Sequence, residues 1–135
     1  MTPEKVTRVL FIGMEQMDTG PIKCQFDAKR KGPSEFLTAN SEKEILAAIQ
    51  KYDELAAVVF VGCIADWPFN ANSPTGHLHA LPALKAKFGG KAVFITASTY
   101  AVHNEIMMKA GCDHALRAFR LLEELPDLVP ATAPS

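Results

Sequence analysis

A chain of 135 residues with a hydrophobic fraction of 48% is sized for one domain around one core. Its 14 basic and 15 acidic side chains leave a formal net charge of -1, so bulk charge gives no reason to expect a nucleic acid or an anionic membrane as partner. The three cysteines, Cys24, Cys63 and Cys112, form no CxxC pair, and no apolar run approaches the ~20 residues that span a bilayer, which together argue against a disulfide framework or a membrane span and for a reducing, cytoplasmic setting.

Residues 1–5 are polar and unlike a signal peptide. Residues 6–12 (VTRVLFI) have the near-continuous apolar pattern of a strand buried on both faces, and Gly13 closes it. A loop follows as far as Pro21. Ile22 and Phe26 stand four apart in a short helix expected over 22–31. Its basic end, Lys29, Arg30 and Lys31, reads as a solvated helix terminus before Gly32 and Pro33. Residues 35–39 (EFLTA) make a second strand. Ser41 and Glu44 form a capping box for a second helix, which carries Ile45, Ala48, Ile49 and Tyr52 on one face. Residues 55–61 (LAAVVFV) are the third strand, closed by Gly62.

A long loop rich in Pro, Asn and Ser spans 63–75. Leu78, Leu81, Leu84 and Phe88 then predict a third helix. Pro82 should either move its start towards Leu81 or kink it, because proline inside a helix removes a hydrogen bond and clashes. Gly89 and Gly90 end it. Residues 92–96 (AVFIT) are the fourth strand. Ser98 opens a fourth helix with Val102, Ile106 and Ala110 on one face and Gly111 at its end. A short strand over 113–116 and a last helix over 119–125, stopping at Pro126, complete a single domain over 1–128. Residues 129–135 read as a flexible tail. Five β-α units in succession predict an α/β fold with a parallel sheet and right-handed crossovers.

The stretch from Ala92 to Leu116 resembles the fourth and fifth strands of response-regulator receiver domains. AVFITAS matches a strand that ends in Thr or Ser followed by Ala, and MMKAGCDHAL matches the family's KAGADDYL segment through Ala110, Gly111, Asp113 and Leu116. Trp67-Pro68 and Thr75-Gly76 echo the pair after the third strand. The resemblance implies a flavodoxin-like, doubly wound (βα)5 fold with strand order 2-1-3-4-5. It also implies five groups for phosphoryl transfer: two acids that hold Mg²⁺, a phosphoacceptor Asp, a Thr or Ser, and a Lys. A hard cation and an ammonium together neutralise the charge on the transferred phosphoryl group.

Set on this sequence, the acidic pair falls on Gly13 and Met14, with Glu15 one place late. The phosphoacceptor falls on Gly62, with Asp66 four residues further, and the Lys falls near Ala118, where Arg117 is the neighbouring cation. Only Thr96 fits in place and type. The expectation is therefore a pseudo-receiver: a signal-transduction module of the two-component kind, not an enzyme, without cofactor, acting by protein–protein contact. Any partner that prefers one of two loop states can bias such a fold. Two alternatives stay open. One is an atypical active receiver in which Asp66 accepts the phosphoryl group with Mg²⁺. The other is a flavodoxin-like domain with a small-molecule pocket over Gly13, Gly62 and Thr96, where strand carboxyl ends place ligands.

The resemblance also marks the face of the fourth helix, fifth strand and fifth helix as the partner surface, for another protein or a second copy. His103, Met107 and Met108 lie on that helix; its spacing puts Met107 in the core and leaves Met108 exposed, where adaptable methionines suit a contact surface. Trp67 and Phe69, in the long loop, are candidates either for a partner contact or for folding over the pocket. His77 and His79 lie two apart, so on a helix they face different ways and make no metal site. Cys112 and Cys63 read as packing residues.

Overall fold

The computed structural model describes residues 6–12, 19–30, 33–39, 42–61, 76–97, 101–117 and 120–129. Among these residues ten elements alternate: β1 (Thr7–Ile12), α1 (Gly20–Arg30), β2 (Ser34–Ala39), α2 (Glu42–Lys51), β3 (Ala57–Val61), α3 (Gly76–Phe88), β4 (Val93–Ala97), α4 (Ala101–Ala110), β5 (His114–Leu116) and α5 (Leu121–Leu128). All strand pairs are parallel, in the order β2-β1-β3-β4-β5. This is the flavodoxin-like α/β fold that the alternation predicts.

The sheet's two-residue period divides the core. Leu10, Ile12, Val58, Phe60 and Phe94 face α2, α3 and α4, where they meet Ile45, Leu81, Leu84, Phe88 and Met107. Val9, Phe11, Val59, Val61 and Ile95 face the other way, onto Ile22 and Phe26 of α1 and Leu121 and Leu125 of α5. Layers on both faces explain why β3 reads AVVFV without alternation and is buried at every position. The edge strand β5 is different: three residues, none of them buried.

Several boundaries depart from the sequence pattern. The third helix starts at Gly76, upstream of Leu81, and runs through Pro82. Pro82 is exposed while Leu81, Leu84 and Phe88 are buried. Burial of those three side chains, worth about 1.5–3 kcal/mol each, outweighs the ~3 kcal/mol that an internal proline costs. Pro126 likewise does not stop the last helix, which continues to Leu128. The Val129 N–H donates to the Leu125 carbonyl at 3.1 Å, and Val129 is buried against the α1–α5 core. The domain therefore includes Val129, which the sequence pattern places in the tail; residues 130–135 lie outside the described residues, as do Ser41 and Ser98.

Helix α1 is tied to the edge strand β2 through Asp27. Lys23 Nζ donates to Asp27 Oδ2 at 2.7 Å, and Ser34 Oγ donates to Oδ1. Partial burial pushes the Asp27 carboxyl up, but these two donors and the Lys23 charge outweigh it and hold the group below its ordinary range.

Candidate functional site

The candidate site has two parts: the carboxyl end of the sheet, and the face of α4, β5 and α5 beside it. Thr96 is the penultimate residue of β4, paired with Phe60 of β3 on one side and Ala115 of β5 on the other. It is 2% exposed and shares its face of the strand with Phe94, so it points towards α4. There its hydroxyl donates to Asn104 Oδ1 at 2.9 Å. Asn104 Nδ2 in turn donates to the Leu116 carbonyl, also at 2.9 Å. Asn104 is 9% exposed. A single side-chain amide thus brackets the ends of β4 and β5 to α4.

The amino end of β5 has its own clamp. The Asp113 N–H donates to the Phe94 carbonyl at 2.6 Å, and the Phe94 N–H donates to Asp113 Oδ2 at 2.9 Å. Lys85 Nζ lies 3.8 Å from Asp113 Oδ1 and 4.8 Å from the Phe94 ring centre. Helix α4 passes into β5 through Gly111, whose φ is 130°. The Cys112 N–H reaches back to the Met107 carbonyl at 3.1 Å and the Gly111 N–H to that of Met108 at 3.2 Å, the double closure of a Schellman turn.

Of the two apolar spacings read on α4, the structure buries Met107 and leaves Ile106 and Ala110 outside. Ile106 is 39% exposed and Ala110 is exposed, while Asn104 and Met107 turn to the sheet. Met107 is fully buried in the α2–α4 core, so it is removed from the candidate partner surface and serves packing, in keeping with its helical spacing. Met108 is 38% exposed and stays on that surface, joined by Ile106. His103 lies in the first turn of α4, with its side chain outside the description. Arg117 follows β5 and is exposed; its carbonyl accepts the Arg120 N–H at 2.8 Å.

Gly13, Met14, Glu15, Gly62, Asp66, Trp67, Phe69 and Cys63 lie outside the described residues, so Thr96 and Arg117 are the members of the expected pocket that the structure places. No family model, curated protein or solved structure matches the chain. Among the described residues, no group of three His, Cys, Asp or Glu side chains could hold a metal ion. No helix among them is long and apolar enough to cross a membrane.

Cys112 is buried beside Gly111, and burial pushes its thiol up to about 12, with the Lys85 charge only partly opposing. A thiol that holds its proton so firmly is a packing group and no nucleophile at neutral pH. Asn104 was not singled out from the sequence. A polar residue beside His103 and Glu105 on a mixed helix carries no signal of its own, and only its meeting with Thr96 and the Leu116 carbonyl reveals its part.

Proposed function

We propose that this chain is a receiver-like signalling module that works by binding a protein partner on its α4–β5–α5 face, without phosphoryl transfer. The observation that carries the reading is the commitment of Thr96. This is the residue that fits the receiver pattern in both place and type, and its hydroxyl proton is given to Asn104 inside the core. For the hydroxyl to donate to an incoming phosphoryl oxygen, that bond must break and leave the amide oxygen of Asn104 without its Thr96 donor. The loss of one such bond costs about 0.5–1.5 kcal/mol. The sequence argues the same way, with glycine at the phosphoacceptor position and Gly-Met where the acidic pair belongs.

The partner face is supported by Ile106 and Met108, two of the large apolar side chains left exposed, on a helix that borders β5. On the helix they stand to either side of the buried Met107, with Glu105 and Lys109 outward between them, a charged outer face with apolar flanks. The occupant is another protein or a second copy of the chain.

The test is titration with beryllofluoride and Mg²⁺, followed by amide NMR. The proposal predicts no saturable change at Thr96, Asn104 or Leu116. Saturable shifts centred on those residues and on Asp66 would restore phosphoryl chemistry and overturn it.

A further inference from the structure

Helix α4 and strand β5 lie at one edge of the sheet, with β5 joined to β4 by a three-residue parallel ladder. Of the α4 residues whose side chains are described, 104–110, only Asn104 and Met107 are buried. Strand β5 has three residues, none buried, and pairs with β4 alone. The two elements are also fastened to each other, because the Schellman turn at Gly111 brings Cys112 back onto Met107. Towards the sheet, β5 is held by its parallel ladder with β4 and by two polar clamps at its opposite ends. Asn104 holds Thr96 and the Leu116 carbonyl, and Asp113 holds the backbone of Phe94. Between them sit the buried side chains of Met107 and Cys112.

A short edge strand welded to a lightly buried helix is the kind of segment that opens below the global unfolding free energy. We infer that α4 and β5, residues 101–116, form one cooperative opening unit, a flap that leaves the β4 edge as a body when the β4–β5 ladder and both clamps release together. The backbone connection through Gly111 forbids either element from departing far without the other. The Phe94 N–H, although it belongs to β4, is held by the Asp113 carboxylate and so is released with the flap. Because the flap contains much of the proposed partner face, a partner seated there would hold it shut. That last step rests on the proposed function; the opening itself does not.

The experiment is native-state amide hydrogen exchange on the whole chain, read residue by residue at rising, sub-denaturing urea. The amides of 105–116 and of Phe94 are expected to converge on one opening free energy and one urea dependence, both lower than those of β1 and β3. Asn104→Ala and Asp113→Ala remove clamps at opposite ends, and each should speed exchange across the whole set, by about ten- to a hundred-fold. Phe26→Leu is the control. Phe26 packs on Phe36 of β2, at the far edge of the sheet, with ring centres 5.3 Å apart. It should speed exchange in β1 and β3 and leave the flap set unchanged, since opening the flap does not disturb it. The inference fails if the set shares the free energy of β1 and β3, or if its amides show unrelated urea dependences. It also fails if each clamp variant affects only its own end, or if Phe26→Leu moves the flap as much as β1. The urea series on the unaltered chain decides the matter even if a clamp variant does not fold. None of these readouts involves a partner, so failure of the partner reading and failure of the flap are separable.

Discussion

Removing the Asn104 amide should cost more than its exposed-helix setting suggests, and the cost should be shared with Thr96. Asn104→Leu keeps the branched shape of the side chain and raises helix propensity, but it deletes the hydrogen bond from Thr96 Oγ1 and the one to the Leu116 carbonyl, each 2.9 Å long. Each bond contributes about 0.5–1.5 kcal/mol net, and the Thr96 hydroxyl, 2% exposed, loses that partner at a further cost of about 1–3 kcal/mol. The expected loss is about 2–6 kcal/mol. Thr96→Val deletes only the shared bond and should cost about 1–2 kcal/mol. In the double variant that bond is lost once, not twice, so the combined loss should fall short of the sum by about 1 kcal/mol. Equilibrium urea unfolding of the four proteins measures this directly. Additivity within about 0.3 kcal/mol, or a stability of Asn104→Leu equal to that of the parent, would refute the bracket.

Met107 and Met108 are neighbours with opposite exposures, so Met107→Ala should lose about 2–5 kcal/mol and Met108→Ala within about 0.5 kcal/mol, read from the same urea transitions. Gly111 sits at φ 130°, where an L side chain is strained, so Gly111→Ala should destabilise by about 1–3 kcal/mol. A Cβ at Gly90 meets nothing within 4 Å, so Gly90→Ala should be neutral or slightly stabilising in a thermal melt. Burial keeps the Cys112 thiol protonated in the folded chain up to about 12, whereas the unfolded thiol ionises from 9.0. Its contribution to stability is therefore full below pH 9 and is lost as pH rises from there towards 12, at about 1.4 kcal/mol per pH unit. Urea midpoints at pH 8 and pH 10 should diverge more for the parent than for Cys112→Ala, and an equal pH dependence in the two would contradict the assignment.

The fold was legible because its signals are redundant. Three central strands are apolar runs closed by small or polar residues, and α2 repeats Ile45, Ala48, Ile49 and Tyr52 at helical spacing against the core. Alternation with helices then leaves a parallel sheet as the natural arrangement. Local rules failed where tertiary burial overrode them. Pro82 and Pro126 each sit inside a helix that apolar burial on its sheet-facing side maintains. On α4 the apolar spacing through Ile106 and Ala110 led outwards, because the inward positions are held by Met107 and an asparagine. A hydrophobicity pattern scores Asn104 as outward; its burial is favourable only because Thr96 and Leu116, distant in sequence, supply partners. The expected pocket positions Gly13, Met14 and Gly62 lie outside the described residues, and the bracket at Thr96 became visible only in three dimensions.

The claim that the phosphoryl chemistry is gone is tested most directly by intact-mass measurement after incubation with acetyl phosphate and Mg²⁺. The account predicts an unchanged mass for the native chain at every donor concentration. A mass increase of one phosphoryl group that disappears in Asp66→Asn would contradict it.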